Sequence, residues 1–568
     1  MGRRDAPIQR ARLWLAEVEV SDRTYRFSPP DRTGVLLGLG GPQALAMGAA
    51  LLVAVFARSS GAPAPVIAVP VGLGLIAGLA RVGGRPLLEA APPALSWAAT
   101  IVRGRRRWFA PLHPLHAGAD ATPALPPVLD GQVVLSVEPA DYGQSEWSQP
   151  VAVVHDRGRH RLVFAIVLTV ASSGVVVIAL IMGWTSLALA VAVAGPLVSL
   201  LAARGGAMST YAATFRASGG LFGLAGRAEQ ERLLDLWGAA LAAFCRERGP
   251  VVAVRWSQFA APAGVEQHLA RLSDLGDEGD EEPAVASYRS LLESVGPLAT
   301  RREVLVTLMV SAARVQGGSR HGGDSSAAAI EVLLEELRLF AERLDTAGLA
   351  VSSPLSPPEL ARALRVRLDP TVAATLDRRG RSLGQVAGLV SLANGGPLAT
   401  EADWSRWRVD ASLHRSFLVV EWPRLDAPAA WMADLVLWGG AARTITVIYE
   451  PVAPRQSLRA IRRESAKLEA DAEHRTRSGF RLPAAVRRAA DAVAERETEL
   501  VDGYAELDYV GLVTITAPAA ESLERACAQL IQVASGVGVE VRALDGRHDA
   551  AVGACLPLAR AVVRSGLG

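Results

Sequence analysis

The sequence almost lacks lysine. Lys467 is the single lysine among 59 basic residues in a chain of 568. A P-loop needs a lysine directly after a glycine-rich loop to grip nucleotide phosphates, and Lys467 lies instead in a predicted helix. The nearest glycine-rich stretch, residues 219–227, has neither the spacing nor the lysine. The sequence therefore excludes a P-loop ATPase.

Cysteine and histidine are also scarce. Cys245, Cys527 and Cys555 are too far apart for a metal site or a redox pair, so we expect buried, reduced thiols, which favours a cytoplasmic location. His113 and His116 have no third ligand nearby, and a zinc site is not expected there.

A catalytic triad is not predicted either. His548 lies between Asp545 and Asp549, but no serine or cysteine nucleophile motif accompanies it. We therefore expect no enzymatic activity, no cofactor and no metal. The net charge of +2 gives no global reason to expect direct binding to nucleic acid.

Three runs of the chain lack charged side chains. The longest has 42 residues between Arg161 and Arg204, and two shorter runs lie between Arg32 and Arg58 and between Arg58 and Arg81. A bilayer core takes about 20 apolar residues per helical crossing, so the longest run has room for two crossings and the others for one each. The sequence thus predicts two transmembrane hairpins.

Arginines flank both predicted hairpins on the same side. The positive-inside rule then places both termini in the cytoplasm and predicts a multi-pass protein of the bacterial inner membrane. The first 32 residues are too charged for a cleavable signal peptide. No ionisable group lies within a predicted span, which argues against a transporter.

The second predicted hairpin, residues 163–203, has an alternative interpretation as a re-entrant or buried apolar hairpin. The residues on either side of it, 161–165 and 210–216, have strand-like composition. They could pair as neighbouring strands, with the hairpin inserted at their connection.

The predicted fold is a membrane-anchored α+β protein, with two transmembrane helical hairpins and cytoplasmic mixed α/β lobes. Its segments are a basic cytoplasmic N-terminus (1–34), transmembrane hairpin 1 (35–81), a juxtamembrane helix and the start of the α+β lobe (82–162), transmembrane hairpin 2 (163–203), lobe 1 (204–393) and lobe 2 (394–568). Strands are predicted at 131–137 and 150–155, amphipathic helices at 229–246, 327–344 and 519–534, and a long helical region at 454–501.

Two basic clusters are candidate contact sites. Four cations recur at i+4 spacing in the long helical region: Arg455, Arg459, Arg463 and Lys467. They predict docking to an acidic partner surface, with a solvated helix face as the structural alternative and nucleic acid as a third. The second cluster predicts a lipid-headgroup contact, with a nucleic-acid patch as its alternative: Arg103, Arg105, Arg106, Arg107 and Trp108.

Several sequence blocks, taken in order, resemble an actinobacterial family of membrane proteins. They are RTYRFSPPDRTGVLLGL, PLHP, SVEPADYG, VAVVHDR, TYAATFRASG, EQERLLDLWGAALA and VAVRW, followed by SFLVVEWPR, RTITVIYEPVAPRQSLRAIRRESAK and DGYAELDYVGLVTITAPAAESLERA. The resemblance implies a gene beside ATPases of conjugation or type IV secretion type. It also implies a VirB-type inner-membrane hairpin joined to a domain like the N-terminal, non-motor region of the conjugation ATPase. The 163–203 hairpin departs from that pattern.

The function that this resemblance implies is a non-enzymatic inner-membrane scaffold subunit of a type IV-like secretion or conjugation apparatus. Its expected partners are the lipid bilayer, a separate ATPase docked at the cytoplasmic face and other membrane subunits, and a homo-oligomer is compatible with the sequence. The alternative function is a structural membrane subunit of a type VII secretion system. A membrane-anchored enzyme would require a pocket with converging ionisable groups.

Overall fold

One large antiparallel sheet organises the part of the chain that the structure describes. The computed structural model describes residues 41–59, 61, 63–82, 85–111, 123–157, 209–220, 222–262, 272, 283–295, 300–316, 325–383, 392–423, 427–477 and 484–560. The strands are β1 (Arg81–Val82), β2 (Arg85–Pro86), β3 (Arg107–Phe109), β4 (Gln132–Val137), β5 (Val151–Asp156), β6 (Thr210–Gly219), β7 (Val251–Pro262), β8 (Thr300–Ser311), β9 (Leu349–Pro354), β10 (Ala399–Ala402), β11 (Trp407–Val409), β12 (Ser412–Glu421), β13 (Ala442–Pro451), β14 (Leu507–Ala517) and β15 (Glu540–Ala543).

The helices join these strands. They are α1 (Gly41–Ser59), α2 (Ala64–Leu79), α3 (Leu87–Val102), α4 (Arg227–Ala242), α5 (Pro283–Val295), α6 (Ala312–Gln316), α7 (Ser325–Thr346), α8 (Pro357–Leu368), α9 (Ala373–Leu383), α10 (Ala433–Leu437), α11 (Pro454–Arg477), α12 (Ala484–Val501), α13 (Ala520–Gly536) and α14 (His548–Cys555).

The sheet has 13 strands in the order β3-β10-β11-β12-β14-β13-β7-β8-β6-β5-β4, with β15 also paired to β12 and β9 to β6. It consists of two halves with the same topology. In the first half the order is β4-β5-β6-β8-β7 with β9 on β6, and in the second it is β10-β11-β12-β14-β13 with β15 on β12. The halves meet where β7 and β13 pair antiparallel. Antiparallel pairing of equivalent strands relates the halves by a pseudo-two-fold axis.

Buried hydroxyl pairs repeat around this axis. Thr214 and Thr307 join β6 to β8 at 2.9 Å between hydroxyl oxygens, and Ser416 and Thr514 join β12 to β14 at 2.8 Å. On the axis itself Thr446 donates to Ser257, at 3.2 Å. Buried hydroxyls need partners, and pairing them across strands satisfies both groups without water.

Helices pack on both faces of the sheet. On one face, the first half is covered by α7, whose side chains recur at helical spacing and are fully or nearly fully buried: Ile330, Leu333, Leu337, Phe340 and Leu344. The same face of the second half is covered by α13 through Leu523, Cys527 and Leu530. Each such side chain contributes about 1.5–3 kcal/mol by leaving water. The opposite face carries a single core, to which α8 and α14 contribute.

Each half sends a segment across to the other half. After α14 the chain runs over the first half, where the Arg255 guanidinium donates to the carbonyls of Leu556, Leu558 and Arg560. At the end of α8 the chain meets the second half, where His414 Nε2 lies 2.8 Å from the Leu368 carbonyl oxygen. The two halves are therefore tied together by reciprocal crossings as well as by the β7–β13 pair.

The predicted fold class, with its two transmembrane hairpins, is wrong for the described residues. Among them no helix has both the length and the apolar character that a membrane crossing needs. In the predicted first hairpin, α2 has 16 residues and so measures about 24 Å, less than a bilayer core of about 30 Å. Counting uncharged residues overestimated the helical length. The predicted multi-pass inner-membrane localisation is contradicted for the same reason. The predicted second hairpin lies outside the described residues.

Several local predictions agree with the structure. The strands predicted at 131–137 and 150–155 correspond to β4 and β5, and the long helical region is the helix pair α11 and α12. Residues 161–165, the predicted neighbour of β6, lie outside the described residues, so this pairing stays a prediction. The strand β6 itself has partners within the described part of the chain. It pairs with β5, with Asp156 opposite Thr210. Residues 157–209 therefore connect two neighbouring strands, where the second half has only the turn Asp410–Ala411.

Candidate functional site

The helices α11 and α12 form an arm inserted between the paired strands β13 and β14. A small apolar cluster of Ile461, Leu468 and Val493 holds the two helices against each other. The remaining side chains of α11 are mostly exposed. Because so little of the helix surface is used for packing, most of the arm is available for contact with another molecule.

The four predicted docking residues lie on this arm. Arg455, Arg459, Arg463 and Lys467 are all exposed on α11. Neighbouring like charges at i+4 spacing cost a few tenths of a kcal/mol per pair in an isolated helix. Arg459 and Arg463 form no salt bridge with any residue that the structure describes. The structure thus brings the predicted cations together on one accessible helix.

The base of the arm is fixed to the first half of the sheet. The Arg455 backbone N–H donates to Glu247 Oε1 at 2.7 Å. Arg496 of α12 bridges Glu464 of α11, at 3.2 Å, and Glu506, the residue before β14, at 2.6 Å. These bonds hold the arm at a defined angle while leaving the arginine stripe outside them.

The predicted lipid-headgroup cluster has a different environment. Arg103 and Arg105 are exposed in the turn after α3. Arg106 pairs with Asp403, and Arg107 Nε lies 2.9 Å from Glu401 Oε1, so both side chains attach β3 to the β10–β11 hairpin. Trp108 is half-buried on β3. The lipid contact of these residues stays a prediction.

Three chain segments enter or leave the sheet on the same side, at the ends of strands. Because every strand pair is antiparallel, the end of β5, the end of β13 and the start of β3 point the same way. Three segments therefore attach to the sheet on this side: the connection 157–209, the α11–α12 arm and the chain that enters β3 from α3. Both predicted basic clusters lie on segments that emerge there.

The ionisable groups inside the sheet are engaged in internal bonds. Burial lowers the pKa of His414 to about 4, and its two ring nitrogens contact the Leu368 carbonyl and the Thr516 hydroxyl. Burial would raise the pKa of Glu303, but Arg367 and Arg216 lower it to about 2 through charge and hydrogen bonds. Both groups are therefore engaged in contacts within the fold.

The other residues considered from the sequence are structural or lie outside the description. Cys245, Cys527 and Cys555 are buried and free of disulfides, as predicted. His548 is buried, and its Nδ1 accepts the Ser416 backbone N–H at 3.1 Å. His113 and His116 lie outside the described residues. Within the described ranges no three His, Cys, Asp or Glu side chains are grouped to hold a metal ion.

Two features of the described surface were missed from the sequence. The first is an apolar pocket beside β14, lined in part by Trp422, Trp431 and Met432. Gly511 makes room for the Trp422 ring, since a Cβ there would lie 2.8 Å from a ring carbon. The second is the outer edge of β4. The position of Gly511 within a strand is the sequence signal for the pocket. The open position of β4 at the end of the sheet is revealed only by the strand order.

Comparison with known proteins leaves the geometry as the main evidence. No family model matches the chain, and no curated protein matches it.

Proposed function

We propose that this protein is a non-enzymatic scaffold subunit of a type IV-like secretion or conjugation apparatus, and that it docks a separate ATPase through α11. The observation that carries the proposal is the exposed stripe Arg455, Arg459, Arg463 and Lys467 on an arm fixed at its base. A rigid arm that presents a stripe of four cations suits recognition of an acidic surface on a partner.

The architecture around the arm supports a holding role. The two halves form a continuous sheet with buried hydroxyl pairs and reciprocal crossings, which makes a stiff platform. The arm is anchored to both halves, since Glu247 belongs to the first and Glu506 to the second. A load applied to the arm by a partner would therefore be shared by the whole sheet.

Charge reversal tests the contact. The full-length chain, tagged, is used to recover a conjugation-type ATPase encoded beside its gene, the neighbour that the resemblance implies. A variant carries Arg455→Glu, Arg459→Glu, Arg463→Glu and Lys467→Glu. We expect recovery of the ATPase to fall by about tenfold or more. Complementary charges across an interface guide the encounter of the two proteins and fix their relative position, and the variant reverses four of these charges. Raising the salt concentration should weaken the unmodified complex in the same direction.

A matched variant controls for net charge. Arg378, Arg379, Arg381 and Arg408 are also exposed, lie away from the arm, and change the net charge equally when each becomes Glu. This control should recover the ATPase as the unmodified chain does. Equal recovery with the α11 variant would remove the docking assignment, and nucleotide hydrolysis by the purified chain alone would remove the scaffold assignment.

A further inference from the structure

The pseudo-two-fold axis makes β4 of the first half equivalent to β10 of the second. The outer edge of β10 carries β3, paired antiparallel with Trp108 opposite Thr400. Main-chain bonds hold it: the Ala402 N–H donates to the Arg106 carbonyl and the Ala110 N–H to the Leu398 carbonyl, both at 2.8 Å. On β4, no strand among the described residues occupies the equivalent edge.

The direction of the main-chain groups on β4 follows from its register. The Arg157 N–H donates to the Gly131 carbonyl, so residues 131, 133, 135 and 137 exchange their bonds with β5. Gln132, Val134 and Ser136 therefore direct their N–H and C=O groups away from β5. They match the groups of β10 that receive β3. Ser136 is exposed.

The charge around this edge indicates the chemistry of its occupant. On β10, the basic residues Arg106 and Arg107 of β3 meet Asp403 and Glu401. At the corresponding end of β4 the chain continues into exposed Glu138 and Asp141, neither of which forms a salt bridge with a described residue. An arginine-bearing strand running antiparallel to β4 would bring its basic end to these carboxylates.

We propose that the outer edge of β4 is a docking site for an extended segment of a partner chain, rich in arginine and carrying aromatic residues, which adds to the sheet as an antiparallel strand. Addition of a strand gives affinity through main-chain bonds, and the acidic end selects the segment. This site is independent of α11 and does not rest on the ATPase contact.

A peptide of residues 103–111, RGRRRWFAP, is a direct probe because it copies the strand that β10 already binds. Labelled peptide is titrated into the full-length chain and binding is followed by anisotropy. Ser136→Pro removes one outward N–H without touching a bond to β5, whereas Ser136→Ala retains it. We expect saturable binding that Ser136→Pro weakens by about five- to tenfold and Ser136→Ala leaves unchanged.

A circular dichroism melt would show whether the proline variant unfolds. Two further measurements keep the test decisive in that case. Glu138→Gln with Asp141→Asn should weaken binding by about fivefold at low salt and change the fold very little, since both residues are exposed. A peptide N-methylated at Trp108 and Ala110 keeps all charges, loses the donors and should bind far more weakly. Equal binding by every protein variant, or by the N-methylated peptide, would overturn the site. A dimer of this chain that Ser136→Pro dissociates would overturn the choice of a separate partner.

Discussion

Replacing Glu303 by Gln tests the ion-pair network that holds α8 to the sheet. Glu303 Oε1 lies 2.8 Å from Arg216 Nε, and Oε2 lies 2.7 Å from Arg367 Nη1, while the Arg367 side chain is 1% exposed. Arg216 also pairs with Glu359 of α8, at 2.8 Å. An amide at position 303 retains one acceptor but removes the charge between two guanidinium groups, one of them buried.

The magnitude follows from the pKa of Glu303. A pKa of about 2 in the folded chain, against an ordinary value of 4.5, corresponds to about 3 kcal/mol at about 1.4 kcal/mol per pKa unit. Since 24% of the side chain is exposed, solvent screening reduces this figure. We expect Glu303→Gln to lower the free energy of unfolding by about 2 kcal/mol at pH 7.

The pH dependence supplies a second readout with a definite sign. Because the folded pKa of Glu303 is depressed, its stabilisation is present above about pH 4.5 and is lost as the pH falls towards 2. The unmodified chain should lose its advantage over Glu303→Gln across that window. His414 titrates equally in both chains and cancels from the difference.

Chemical denaturation followed by tryptophan fluorescence measures both quantities. Glu229→Gln is the matched control, since Glu229 also pairs with an arginine, Arg232, but on the exposed surface of α4. It should not change the unfolding midpoint measurably. If Glu303→Gln unfolds at the same denaturant concentration as the unmodified chain at pH 7, the network does not stabilise the fold as argued.

Two other substitutions probe the crossing segment and the aromatic pocket. Arg255→Met leaves the carbonyls of Leu556, Leu558 and Arg560 without their donor. We expect the free energy of unfolding to fall by about 2–4 kcal/mol. Hydrogen exchange in the segment after α14, measured by mass spectrometry, should become faster. Gly511→Ala places a Cβ about 2.8 Å from Trp422 and 2.9 Å from Val419. We expect the free energy of unfolding to fall by about 1–3 kcal/mol and the tryptophan emission spectrum to change. An unchanged spectrum with unchanged stability would contradict the packing described.

Local structure was predictable where the hydrophobic period was strong. The spacing of Leu333, Leu337, Phe340 and Leu344 predicts α7, and the four cations at i+4 spacing predict a charged helix face, both of which the structure contains. Side-chain period reports which face of an element is buried. It does not report which elements are neighbours.

The strand order was not predictable for that reason. The two halves are joined by β7 and β13, which are far apart in sequence, and nothing in the alternation of either strand specifies the other. The duplication was hidden as well: Thr214 corresponds to Ser416 and Thr307 to Thr514, but insertions of unequal length make the intervals irregular. The error over the first hairpin has a similar cause, because a lack of charge does not determine where a helix begins and ends.

The duplication separates features needed for folding from features available for binding. Hydroxyl pairs between the central strands and the crossings after α8 and α14 occur in both halves, as expected of elements that stabilise each half. Among the described residues, the features that one half has and the other lacks include the α11–α12 arm in place of α5, the long connection after β5 in place of a two-residue turn, and β3 on the edge of β10.

Those differences all lie at the ends or outer edges of strands, where a change leaves the core untouched. A feature that one half lacks cannot be required by the fold that both halves share. The stability of the sheet therefore does not explain the arginine stripe of α11 or the acidic end of β4, which is consistent with the binding roles proposed for both. On this reasoning the charge-reversed α11 variant should keep the thermal stability of the unmodified chain while losing its partner.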